Sequence, residues 1–226
     1  MNILALDSAT DACSVGLLRE DGEQFTLFDI QPRAHTRLLL QMLDQVITDA
    51  AIAKSDISRI AYTNGPGAFT GVRIGVATAQ GLALGLAAKQ VPLSTLQVVA
   101  QQCYLKLGYR QMSVALDARM NEVYVGRFAI DEHGIAQALE AEQLIPITDL
   151  KLPVDGVAVG SGFTAACDAG ILSADSSSRV NTIWPTAHAL LDIVRLMPLA
   201  NRDSTDYQPG INYIRNKVAE KKRPQP

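Results

Sequence analysis

Apolar residues first gather in short runs and then spread to helical spacing. "NILALD" (2–7) is nearly continuous in apolar character and reads as a buried strand, with "CSVGLLRE" (13–20) and "EQFTLFDI" (23–30) as two more. The turns "SATDA" and Asp21-Gly22 leave so little chain between them that the three must pair antiparallel as hairpins. Leu39, Leu43, Val46, Ile47 and Ala50 then recur every three or four residues and predict a helix over 36–51. Ser55-Asp56 can cap a short turn, "RIAYTN" (59–64) reads as a strand, and residues 71–88 as a long helix. "VPLSTL" (91–96) starts as a strand and runs into a turn, and 95–107 makes a further helix. This β-β-β-α-β-α order differs from a dinucleotide-binding unit, where strand and helix alternate from the start.

A second unit begins near residue 110. "MSVALDA" (112–118) and "EVYVGRFAI" (122–130) are strands around the turn "RMN", and "GVAVGSG" (156–162) is a strand that ends in glycines. "TAHALLDIVRLM" (186–197) is a helix bounded by Pro185 and Pro198. The two halves share a plan, strands first and then helix, without a repeated sequence. The expected organisation is an N-terminal lobe over 1–108 and a C-terminal lobe over 109–226 with a mobile basic tail.

Composition narrows the class. A chain of 226 residues, 48% hydrophobic, can bury a sizeable core in one large domain or two small ones. A net charge of -3 leaves no footprint for strong independent nucleic-acid binding, and the basic cluster Lys217 to Arg223 reads as a solvated tail. Cys13, Cys103 and Cys167 are odd in number and dispersed, which points to a reduced, cytoplasmic setting. The N-terminus lacks a basic n-region and meets Asp7 early, so it reads as neither signal peptide nor membrane anchor.

The stretch "NGPGAFTGVRIG" (64–75) sits between a strand and a helix, as a phosphate-binding loop would. Its glycines at 65, 67 and 71 are spaced one residue too long for a dinucleotide fingerprint. Residues 57–116 hold no Asp or Glu to bind a ribose, and no Gly-Lys-Ser/Thr is present. A tight strand-to-helix turn is the competing reading. The following helix is crowded with small residues, although each glycine costs a helix about 1 kcal/mol against alanine. Close approach of a neighbour must repay that cost, either within the lobe or across an interface with a partner, with Gly71, Val72, Gly75, Val76 and Ala79 as the candidate contact face. Asp7, Ser8, Thr10 and Asp11 cluster in the first hairpin turn, where carboxylate and hydroxyl groups can hold a hydrated cation and phosphate or simply make a turn. Gly160 and Gly162 are the matching candidates in the second half. The three histidines, His35, His133 and His188, have no metal-site spacing, and His35 is expected as a cap or surface residue.

"ILALDSATDACSVGLL" resembles the first hairpin of the actin/hexokinase/Hsp70 (ASKHA) superfamily. "RAHTRLLLQMLDQVI", "NGPGAFTGVRIGVATAQGLA", "VPLSTL", "DARMNEVYVGRF" and "YIRNKVAEKK" resemble, in that order, the bacterial TsaB (YeaZ) family, over nearly the whole chain. The resemblance implies a two-lobed α/β fold with mixed sheets flanked by helices. It implies partnership with TsaD, the paralogue that finishes N6-threonylcarbamoyladenosine in tRNA, and with TsaE as third component. TsaD carries a paired-histidine motif where this chain reads "PLSTLQVVAQQ" (92–102), so a metal site is not expected. The implied protein is a non-catalytic partner, homodimeric when TsaD and TsaE are absent, touching tRNA only through the complex and not membranes. It is expected to bind no cofactor tightly, with ATP or ADP held only in the complex. The alternatives are an autonomous ATPase or small-molecule kinase using Asp7, Ser8, Thr10, Gly160 and Gly162, or a protease acting on TsaD.

Overall fold

In the computed structural model, residues 1–32, 34–173, 180–198 and 210–214 are described. β1 (Asn2–Asp7) and β2 (Ala12–Leu18) are buried at every position, so each needs cover on both faces. They lie inside a five-stranded sheet of order β3-β2-β1-β4-β5, completed by β3 (Gln24–Ile30), β4 (Ile57–Thr63) and β5 (Lys89–Leu93). The first three strands pair antiparallel, as their short turns require, and β1, β4 and β5 run parallel. The period of two along β1 sorts its side chains. Leu4 and Leu6 join a core with α1 (His35–Asp49) and α2 (Phe69–Leu86). Ile3 and Ala5 face a second core built on the C-terminal helix.

Ser94 caps α3 (Thr95–Leu107) by accepting the Leu96 N–H at 3.2 Å, and the left-handed Gly108 ends it. This helix lies between the two halves: Val98 packs in the core against β1, and Leu96, Val99 and Cys103 in the core of the second sheet. That sheet has the order β11-β10-β6-β7-β8. Its strands are β6 (Gln111–Arg119), β7 (Glu122–Ile130), β8 (Ala136–Ala138), β10 (Val157–Val159) and β11 (Val180–Asn181), with β9 (Gln143–Pro146) also paired to β7. Helix α4 (Ser161–Asp168) packs on β6, and α5 (Ala187–Leu196) crosses back to cover β1, β2 and β4 of the first sheet. The result is the expected α/β architecture, two mixed sheets flanked by helices.

Two expectations need correction. The strand over 156–162 stops at Val159, and the glycines beyond it open α4. His35 is buried in the first turn of α1, with its Nε2 unpartnered, instead of at the surface. The basic cluster Lys217 to Arg223 lies outside the described residues. Among the described residues no helix is long and apolar enough to cross a membrane.

Candidate functional site

The glycine loop folds onto the first hairpin turn. Ala68 N–H donates to the Ala9 carbonyl at 2.7 Å, and Ser8 Oγ donates to the Gly71 carbonyl at 2.9 Å. A Cβ on Gly67 would strike the Ala9 carbonyl oxygen, and one on Gly71 the Ser8 carbonyl oxygen. A Cβ on Gly75 would come within 2.7 Å of Ser8 Oγ. These glycines exist so that α2 can lie directly on residues 8 and 9. The loop is therefore a packing joint, with its nearest N–H already bonded to protein.

That contact redirects the predicted site residues. Asp7 is fully buried behind the turn. Its Oδ1 accepts from Thr63 Oγ1 at 2.5 Å and from the Ala9 N–H at 3.3 Å, while Oδ2 has no partner. Burial pushes its carboxyl up to about 7, against the lowering effect of those two hydrogen bonds. Ser8 also turns inward. Thr10 alone of the three lines the cleft between the lobes, together with Asp11. Gly160 and Gly162 do not line it. A Cβ on Gly160 would strike the Ala115 carbonyl, and one on Gly162 would meet Ala115 at 2.9 Å, so both are kept for packing α4 against β6. Ser161 between them does face the cleft, while its Oγ accepts the Asp117 N–H at 3.2 Å.

The cleft has a volume of about 700 Å³ and is walled by Phe69, Tyr124, Trp184 and Tyr213 among others. Asp11, Asp117 and Asp168 bring three carboxylates to it, and Arg73 and Arg119 two cations. Arg119 pairs with Asp117 at 3.0 Å and reaches Asp11 of the other lobe at 4.0 Å. Arg73 lies over the Phe69 ring, donates to the Phe69 carbonyl at 3.0 Å and to Tyr213 Oη at 2.7 Å. Both guanidinium groups are thus committed. Three carboxylates stand around them in the same lining.

Residues 210–214 form a strap, of which Ile211 to Ile214 line this cleft. Asn212 N–H donates to the Asn64 carbonyl at 2.8 Å, and Asn64 Nδ2 returns a bond to the Gly210 carbonyl at 3.2 Å. Ile211 packs on the first lobe's core and Ile214 on the second's. Asn212 Nδ2 also reaches Glu142 at 3.5 Å, whose other oxygen accepts from Ser94 Oγ. Burial raises the Glu142 carboxyl above its ordinary range. No periodic signal in "GINYI" announces this strap.

The interface residues named from sequence also need correction. Gly71, Val72, Gly75, Val76 and Ala79 form the inner face of α2, buried against the first sheet. The outer face carries Thr70, Ala77, Gly81, Leu84 and Gly85; Leu84 is 87% exposed, and among the described residues a Cβ on Gly81 or Gly85 would meet nothing within 4 Å. Among the described residues no group of three or more His, Cys, Asp or Glu side chains converges as a metal site would need.

Known proteins resemble this chain in sequence and fold. A family model described as TsaD, tRNA N6-adenosine threonylcarbamoyltransferase, matches residues 29–164. The chain is 38% identical to the tRNA threonylcarbamoyladenosine biosynthesis protein TsaB of Escherichia coli K12, over 99% of both chains. It is 30% identical to TsaB of Bacillus subtilis 168, over 66% of this chain and 64% of that one. A crystal structure of a Pseudomonas aeruginosa protein with similarity to peptidase YeaZ superposes with a TM-score of 0.79 at 30% identity, covering 95% of this chain and 99% of that one. A structure of YeaZ from Pseudomonas aeruginosa gives 0.72 at 31% identity, covering 85% and 89%. The chain belongs to the TsaB family of tRNA threonylcarbamoyladenosine biosynthesis proteins.

Proposed function

We propose that this protein is a non-catalytic subunit in the formation of N6-threonylcarbamoyladenosine in tRNA. It binds a TsaD subunit, with TsaE as third component, through the outer face of α2. The complex transfers threonylcarbamoyl from threonylcarbamoyl-adenylate to the adenosine beside the anticodon, and the chemistry belongs to TsaD. Nucleotide is held only in the complex. Without its partners the same face pairs two copies of the chain, and the setting is the cytoplasm.

One observation carries the partner role. Glycine in a helix interior costs about 1 kcal/mol against alanine, so a glycine kept there must return something. Gly71 and Gly75 return close packing on Ser8. Gly81 and Gly85 return nothing among the described residues, since both open onto empty space beside Leu84. Their return comes from a neighbour that approaches α2 from outside. Membership of the TsaB family supports TsaD as that neighbour.

The test is co-purification with TsaD and TsaE using Leu84→Asp and Gly81→Leu. Both positions are exposed, so both variants keep the fold, checked by circular dichroism. The expected result is loss of the complex. Variants that co-purify as well as the unaltered chain would place the interface elsewhere.

A further inference from the structure

The two lobes are held together in two different ways. One joint is apolar and buried. Val98 of α3 packs in the core that holds Ile3 and Ala5, while Leu96, Val99 and Cys103 of the same helix pack in the core of the second sheet. Leu190, Leu191, Ile193 and Val194 of α5 complete the first of these cores. Neither helix lines the cleft. There the walls come from the glycine loop and the N-terminal end of α2 in the first lobe, and from β6 and α4 in the second.

The strap ties the lobes on this other side, and its ties are of another kind. Asn212 is its centre. Its N–H donates to the Asn64 carbonyl at 2.8 Å, and its own carbonyl lies 3.1 Å from where a Cβ on Gly65 would stand. Its Nδ2 donates to Glu142 Oε2 of the second lobe at 3.5 Å, and Glu142 Oε1 accepts from Ser94 Oγ of the first. Tyr213 Oη accepts from Arg73 at 2.7 Å, while Ile211 and Ile214 pack on separate lobes without being fully buried. Asn212 is exposed and Tyr213 is 52% exposed. The Arg119–Asp11 pair also spans the cleft, but at 4.0 Å with the Arg119 side chain 76% exposed it contributes little.

We propose that the strap is a releasable latch between the lobes. Seated, it holds them closed on the cleft. Lifted, it lets them part about the buried joint of α3 and α5 and admits small molecules to the cleft. The contrast between the two joints sets the order of opening. Half-exposed hydrogen bonds each contribute only about fivefold to an equilibrium constant, so the strap lifts long before the apolar joint gives way. Lifting also releases Arg73 from Tyr213, which passes the state of the cleft to the N-terminal end of α2. The latch does not depend on which partner α2 meets.

The experiment uses the full chain, whose single tryptophan, Trp184, lines the cleft. One variant combines Asn212→Ala with Tyr213→Phe and removes two polar anchors. A second, Ile214→Ser, removes the packing on the second lobe. Circular dichroism checks that each keeps its fold. Acrylamide quenching of Trp184 should increase in both, and small-angle scattering should show a larger radius of gyration. Hydrogen exchange at the residue 212 amide should accelerate about tenfold or more. Faster exchange at residue 212 with unchanged quenching and scattering would overturn the inference, because the strap would then lift without parting the lobes. Unchanged exchange in both variants would overturn it as well, since the anchors would not hold the strap. Quenching that rises only together with loss of secondary structure would make the strap a plain stabiliser and sink the latch.

Discussion

Alanine substitutions at two glycines of α2 should move stability in opposite directions. Gly81 faces open space, so Gly81→Ala gains the helix-propensity difference of about 1 kcal/mol with no steric cost. For a chain of this size that raises Tm by about 2–4 °C. Gly71 stands against Ser8, and a Cβ there would fall inside contact distance of the Ser8 carbonyl oxygen, a backbone atom that cannot rotate away. The same shift would break the bond from Ser8 Oγ to the Gly71 carbonyl. Overpacking of this kind costs about 1–3 kcal/mol, and the lost bond adds about 1, so Gly71→Ala should lower Tm by several degrees. Thermal melts followed by circular dichroism measure both, and titration of TsaD by calorimetry measures the partner. Gly81→Ala should melt higher and bind TsaD more weakly, because the added methyl stands where a neighbour packs. A variant that is both more stable and undiminished in binding would show that Gly81 is not kept for contact. A neutral Gly71→Ala would show that the loop does not depend on its seat against the first turn.

Asp7 gives a pH-dependent prediction. Its folded-state carboxyl is raised to about 7 from 3.8, so the folded state holds the proton more tightly. The associated stability is fully present below pH 3.8 and is lost as pH rises through 7. Asp7→Asn mimics the protonated form, and its advantage over the unaltered chain should grow across that window to a value on the order of 4 kcal/mol. Urea denaturation at pH 4 to 8 checks this, and a difference that does not vary with pH would refute the assignment. Gly160 has φ of +103° and abuts the Ala115 carbonyl, so Gly160→Ala should destabilise the chain by about 2 kcal/mol or more. Chemical denaturation would show this, and an unchanged midpoint would count against the packing role.

Much of the scaffold was legible because burial and periodicity agreed. β1 to β3 announced themselves by apolar runs and tight polar turns, and α5 by its flanking prolines. α4 was hidden because eight residues, "SGFTAACD", carry glycine punctuation and too few large apolar side chains to set a period. β11 is two residues long and pairs with β10, so no local pattern marks it. Asp7 and Ser8 were correctly placed at a strand end but their direction was not, because a turn sequence does not say which side chains the next helix will cover. The strap escaped because its order comes from both lobes at once.

The face of α2 was misread for a reason that bears on function. An amphipathic helix shows its buried side through contrast, and this one has almost none: Val72, Val76, Ala79 and Ala83 lie inward, while Ala77, Gly81, Leu84 and Gly85 lie outward. With apolar residues all round, the sequence could assign small residues to contact but could not choose the side. The structure fills the inner face with the chain's own first sheet and leaves Leu84 exposed above two glycines that none of the described residues covers. A helix that is apolar all round belongs in an interior. The described residues supply only half of that interior, and under the proposed subunit role the other half falls to a partner surface, so the missing contrast that defeated the sequence reading is what a helix with two sets of neighbours would show.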